Sequence, residues 1–361
     1  MQMSRPSPSP AFARSASSSP ESAARLVAIW LLACCALLLA MIVVGGVTRL
    51  THSGLSITEW QPIVGTIPPL SARDWDEAFA KYQGTPEYRQ VNLGMSLDAF
   101  KGIFWWEYAH RLLGRAIGVA FAIPLIWFAL RRRIPPGYAP RLAMLFVLGG
   151  AQGALGWYMV QSGLVDDPRV SQLRLTAHLG LAFVIFGAML WTALSLLRDR
   201  AGVKASGASG RGLARFAGVI VVVVFLMVLS GGLVAGIRAG FAYNTFPRMN
   251  GAWVPPEIMF VEPWYRNFYE NMATVQFDHR AIALVLALLV ATFWWRSRRA
   301  PLPAVRGAAT LLLAMLATQI VLGISTLLLV VPLALAALHQ AGAVLVFAAA
   351  INAAHAARAQ G

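Results

Sequence analysis

The chain has 361 residues, 58% of them hydrophobic and 12% charged, with a formal net charge of +15. Soluble domains carry roughly a quarter charged residues, so this composition excludes a water-soluble globular protein and leaves no room for a separate soluble catalytic domain. The basic excess lies in short loops between apolar runs, which reads as membrane topology and not as a nucleic-acid footprint.

Residues 1–24, rich in Ser, Pro and Ala, have no apolar period and are expected to form a disordered cytoplasmic tail. Residues 26–47 are too long for the apolar core of a cleaved leader and read as the first span. This span holds the only cysteines, Cys34 and Cys35. Adjacent in sequence, they exclude a disulfide framework across the loops and a four-thiolate metal site, and packing is their expected role.

Residues 48–102 are polar and form a long outer loop, with a short amphipathic helix expected near 72–82. The second span is expected at 104–130, with Pro124 as a candidate kink, and it ends at Arg131, Arg132 and Arg133. A third span (142–163) and a fourth (173–197) follow, joined by a short acidic turn at Asp166 and Asp167. A basic linker runs over 198–215, and a fifth span (216–237) opens onto a second polar loop, 238–271. Spans at 273–295, 305–331 and 333–357 complete a count of eight.

Arginines and the one linker lysine cluster in alternate connections, and most of the acids lie in the others. The positive-inside rule then puts both termini in the cytoplasm and both long loops outside. The expected fold is an all-α integral membrane protein: eight transmembrane helices arranged as two pseudo-repeated four-helix bundles. The N-terminal bundle spans 25–200 with its long outer loop at 48–102, the cytoplasmic linker 201–214, and the C-terminal bundle 215–361.

The repeat shows in the motifs. Glu107-Tyr108-Ala109-His110-Arg111 matches Gln276-Phe277-Asp278-His279-Arg280, and Leu175 to Leu179 around His178 matches Ala336 to Gln340 around His339. Each of these four histidines lies one or two turns inside an even-numbered span, at similar depth near the outer face. Two neutral imidazoles on different helices at matched depth are what a six-coordinate haem requires. Zinc suits the pattern less, because neither pair has a third ligand at helical spacing. His52, in the first loop, and His355, near the inner end of the last span, sit at the wrong depth and are expected to be non-ligands.

Arg111, Arg115 and Arg280 lie within about a turn of the histidines and are candidates for haem propionates, the other reading being snorkelling to lipid headgroups. The halves differ at one place: Glu107 stands three residues before His110, and Gln276 three before His279. A carboxylate at membrane depth serves a site that moves protons or stabilises charge, or else is salt-bridged to Arg111 or Arg115. The first reading makes Glu107 the catalytic candidate and the N-terminal half the reactive one.

Gly45-Gly46-Val47-Thr48-Arg49-Leu50-Thr51-His52-Ser53-Gly54-Leu55-Ser56, Thr85-Pro86-Glu87-Tyr88, Gly94-Met95-Ser96 and Phe104 through Arg115 resemble haem A synthase of the mitochondrial and alphaproteobacterial type. The likeness covers all eight spans. It implies an inner-membrane enzyme, multi-pass, that oxidises the C8 methyl group of haem O to the formyl group of haem A by two successive hydroxylations, for cytochrome oxidase haem supply. It further implies a haem b cofactor held by His279 and His339, and haem O as substrate between His110 and His178. A haem O synthase upstream and an electron acceptor that the sequence does not identify are the implied partners. Some bacterial members carry a cysteine pair in the outer loops; residues 48–102 have none here, so no thiol step is carried over. The competing expectation is a di-haem membrane cytochrome b that takes electrons from quinol.

Overall fold

In the computed structural model, residues 20–61, 63–165, 167–200 and 208–358 are described. The disordered tail expected at 1–24 lies mostly outside them, as do Asp166 and the first part of the expected linker. The described chain is nearly all helix and contains no strand, only an isolated bridge between Met249 and Ala252.

Eight helices are long and apolar enough to cross a membrane. They are α1 (Pro20–Leu50), α2 (Leu97–Leu130), α3 (Ala139–Gln161) and α4 (Gln172–Arg200), then α5 (Ala208–Gly236), α6 (Met272–Ser297), α7 (Pro303–Leu328) and α8 (Leu333–Arg358). The chain is a multi-pass membrane protein. Helices α1 to α4 pack in a ring and α5 to α8 in another, and the rings meet where α1 and α4 contact α8 and where α4 contacts α5. The helices of this seam are the most buried, with α4 foremost, whereas α2, α3, α6 and α7 form the outer flanks.

Local chemistry sets the boundaries. Helix α2 starts at Leu97, seven residues before its apolar run, because Ser96 caps it by accepting from the Ala99 amide. Pro124 is accommodated within it. The amphipathic helix of the first loop runs Ala72–Gln83, started by a capping box between Ser71 and Asp74. Thr85 and Pro86 start a further short helix, Pro86–Gln90. Trp75, Phe79 and Tyr82 then pack on Phe100 and Phe104, which fixes the loop to the protruding first turns of α2. Helix α7 stops at Leu328, earlier than the expected 331; Val330 and Val331 form a left-handed turn with φ near 59° and 58°.

The main apolar core occupies one end of the membrane-crossing helices, and a smaller cluster around Tyr82, Phe100 and Phe104 lies under the first loop. Buried side chains run from Phe121 to Phe128 in α2, at Leu142 and Leu145 in α3, from Ala182 in α4, from Leu286 in α6, up to Leu316 in α7 and from Val344 in α8. Nearer the two long loops, stretches 108–120, 146–161, 277–285, 317–328 and 333–343 contain no buried residue. Packed interiors do not look like this, so the helices stand apart at that level. Cys34 and Cys35 lie on the packed side, buried, with the Cys35 thiol directed at the Phe186 carbonyl of α4.

Candidate functional site

His110, His178, His279 and His339 all lie in the loosely packed level, on α2, α4, α6 and α8. His110 and His178 are close enough to feel each other's charge, as are His279 and His339. All four residues are only partly buried, which places their rings on the walls of internal spaces and not in a packed core.

A glycine on a neighbouring helix lies against each ring. A Cβ added at Gly45 would lie 2.8 Å from Cε1 of His110, and one at Gly156 2.8 Å from Cε1 of His178. The corresponding distances are 3.3 Å from Gly231 to His279 and 2.8 Å from Gly323 to His339. Real Cβ atoms essentially never approach closer than about 3.0 Å, so three of the four positions admit only glycine unless the ring moves.

Glutamines hold two of the histidines. Gln152 Nε2 donates to the His178 carbonyl at 3.0 Å and lies 3.4 Å from its ring Nε2. Gln319 Nε2 donates to the His339 carbonyl at 2.8 Å and lies 3.1 Å from its ring Nδ1. Each glutamine stands four residues before the glycine that touches the same histidine, Gln152 before Gly156 and Gln319 before Gly323. That spacing puts both on one helix face. This Gln-x-x-x-Gly pattern stands in both spans, and its pairing with the histidines is not legible in the sequence alone.

Glu107 is 2% exposed. Its Oε1 accepts from Arg111 Nη2 at 2.7 Å and Nε at 3.0 Å; its Oε2 accepts from Ser56 Oγ and from the Ile57 amide, both at 2.8 Å. Four donors converge on this one buried carboxylate. In the other half, Gln276 Nε2 donates to the carbonyls of Ala239 at 2.7 Å and Ala242 at 2.6 Å, and its Oε1 accepts from Arg280 Nη2 at 2.8 Å. The Glu-to-Gln difference therefore follows the polarity of the loop each side chain holds. Glu107 meets a hydroxyl and an N–H; Gln276 meets two carbonyls.

The arginines strap the same loops over the helix mouths. Arg111 donates to the carbonyls of Ile57 and Glu59, and Arg115 to that of Gln61. Tyr108 donates to the Thr66 carbonyl, and Trp60 stacks on Trp157 of α3 with centroids 5.6 Å apart, closing the strap across the mouth. Arg280 donates to the carbonyls of Tyr243 and Pro247 and keeps a buried Nε with no partner among the described residues. Arg49 binds the carbonyls of Ala235 and Gly236, linking the end of α1 to the end of α5.

The remaining histidines have structural partners. His52 accepts from Arg238 at 3.1 Å, and its pKa is held below the ordinary value by burial and then by the charges of Arg238 and Arg49. His355 is buried beside Trp191 and lies 3.4 Å from Ser195 Oγ.

The donor set suits haem. Paired imidazoles on opposing helices, glycine where a side chain would press on each ring, and loose packing at that level suit a flat macrocycle with two axial nitrogens. No group of three or more His, Cys, Asp or Glu that could hold a metal ion gathers among the described residues, which disfavours tetrahedral zinc.

Eight membrane-crossing helices with two such histidine pairs define a polytopic membrane protein with two haem-compatible sites. The chain belongs to the COX15-CtaA family, described as cytochrome oxidase assembly proteins, whose model matches residues 28–351. It is 63% identical over 326 residues to "Heme A synthase" of Nitrosospira multiformis, an alignment covering 90% of this chain and 91% of that one. It is 57% identical to the protein of that name from Nitrosomonas eutropha, over 90% and 92% of the two chains. To that from Parvibaculum lavamentivorans it is 50% identical, again over 90% and 92%.

Proposed function

We propose that this chain converts haem O to haem A, oxidising the C8 methyl group to a formyl group by two successive hydroxylations and so supplying haem A for cytochrome oxidase. Full-length similarity to proteins named "Heme A synthase" supports this reading. The observation that carries it is the presence of two separate histidine pairs, His110 with His178 and His279 with His339, each ring backed by a glycine.

In this reading the chain comprises two four-helix units, 25–200 and 215–361, related as pseudo-repeats, with both termini cytoplasmic in the inner membrane. His110 and His178 hold the substrate haem O. His279 and His339 hold a haem b cofactor, which when bound supplies one-electron chemistry. Methyl to formyl is a net four-electron oxidation of the carbon, so an electron acceptor is required. A haem O synthase supplies the substrate.

Glu107 acts here as a fixed negative charge one turn from His110. Its four contacts set the position of Arg111 and of the turn at Ser56 and Ile57. This makes it a positioning residue for the substrate site. Arg111 and Arg115 bind loop carbonyls and close the mouth, and Arg280, through its unpartnered Nε, is the favoured propionate contact.

Extraction of haem from the purified protein tests the function. Haem O, its alcohol or haem A recovered alongside haem b is the expected result. Haem b alone would identify an electron carrier and overturn the reading.

A further inference from the structure

The two histidine pairs differ in a way that neither the family nor the motif comparison assigns. Ser230 Oγ lies 2.8 Å from Nδ1 of His279 and also 2.8 Å from the carbonyl of Met227. A hydroxyl has one proton and a carbonyl can only accept, so the serine proton goes to Met227. For both contacts to be hydrogen bonds, Nδ1 of His279 must carry a hydrogen and donate it to Ser230. That leaves Nε2 of His279 with a bare lone pair, the form a metal ligand requires. Gln319 Nε2 lies 3.1 Å from Nδ1 of His339, but an amide N–H only donates, so this contact does not give His339 the donating Nδ1 that Ser230 gives His279. In the other half, Nδ1 of His110 and Nδ1 of His178 are both buried with no partner among the described residues.

The residue responsible can be named. Gly231 lies against His279 and Gly45 against His110. Ser230 immediately precedes the first, and Val44 the second. Valine has no acceptor, so the His110 ring is left unpinned. Hydrogen bonds of this kind fix the tautomer and orientation of a ligating histidine and raise its basicity; losing one typically weakens metal affinity 10- to 100-fold.

We propose that Ser230 is a positioning residue that makes the C-terminal site a permanent haem holder, and that Val44 in its place makes the N-terminal site one from which haem is exchanged. This rests on the assignment of haem b to His279 and His339 made above. An enzyme that binds one haem as cofactor and releases another as product needs this difference in ligand strength between two otherwise similar histidine pairs.

The test uses the full-length holoprotein in detergent and follows transfer of its haem to apomyoglobin, together with the reduction potential of the retained b haem. Ser230→Ala should speed haem b transfer by about 10- to 100-fold and move the potential positive, because a weaker donor stabilises ferric iron less. Ser230→Thr, which keeps the hydroxyl, should behave like the parent. Val44→Ser should slow transfer of haem from the N-terminal half while leaving haem b unchanged. Parent-like transfer and potential in Ser230→Ala, with haem b lost from His279→Ala, would overturn the proposal alone. Retention of haem b in His279→Ala would overturn the assignment on which it rests.

Discussion

Gly323 lies directly against the imidazole of His339: a Cβ added there would be 2.8 Å from Cε1. The glycine sets the place of the ring, and the same relation joins Gly156 to His178. Gly323→Ala must displace the ring or the helix, at a cost of roughly 1–3 kcal/mol for overpacking. The expected outcome is loss of b-type absorbance from the purified protein. Gly156→Ala should instead abolish retention of haem O or haem A and leave haem b in place. Measured haem content of the two variants checks both, and identical losses in the two would contradict the pairing.

Glu107→Gln keeps the side-chain size and removes the charge that Arg111 faces. Breaking a buried ion pair by removing one partner costs on the order of 3–5 kcal/mol, and the isosteric amide should cost less because it still accepts from Arg111. Haem A formation should fall while haem b remains. Thermal unfolding separates the two effects: a variant of near-parent stability with full haem A output would show that the charge is not needed.

The loop carboxyl Glu87 is 4% exposed, and burial pushes its pKa up to about 7 from an ordinary 4.5. The folded state therefore binds a proton that the unfolded state releases first, and the stability of this region should fall as pH rises from about 4.5 to 7. The shift corresponds to roughly 3 kcal/mol at 1.36 kcal/mol per unit. Hydrogen exchange of the amides in residues 82–92 across that range should show declining protection, and Glu87→Gln should flatten the dependence. An equally steep profile in Glu87→Gln would assign the pH effect to another group.

Trp60 stacks on Trp157, so the strap over the N-terminal helices is closed by an aromatic pair of about 0.5–1.5 kcal/mol beyond its buried area. Trp60→Ala should increase exchange of the amides in residues 57–61 and 63–66 without changing haem b content. If exchange stays at the parent level, the arginine-to-carbonyl bonds hold the strap unaided.

Much of this architecture was legible in the sequence, because spans of about 20 apolar residues and the arginine-rich turns between them reflect bilayer thickness and topology directly. The short amphipathic helix expected near 72–82 was legible and runs one residue further, to Gln83. The start of α2 was not, since Asp98, Lys101 and Gly102 interrupt the apolar residues of 97–103 and only the Ser96 cap announces the helix. The histidine positions came from comparing motifs, but the meaning of Glu107 against Gln276 did not. That difference depends on whether a loop offers donors or acceptors, which is a matter of three-dimensional return and not of local pattern. Gln319 reads from the sequence as an interhelical hydrogen-bonding group, as it is, but its partner does not, and neither do the roles of Ser230 and Gln152, because the partners lie 20, 49 and 26 residues away on other helices.

The proposed function assigns the two histidine pairs to two different haems. Haem extraction from His110→Ala and His279→Ala, purified side by side, tests this most directly. The account predicts that His110→Ala keeps haem b and loses haem O and haem A, and that His279→Ala loses haem b. Loss of the same haem from both variants would contradict it.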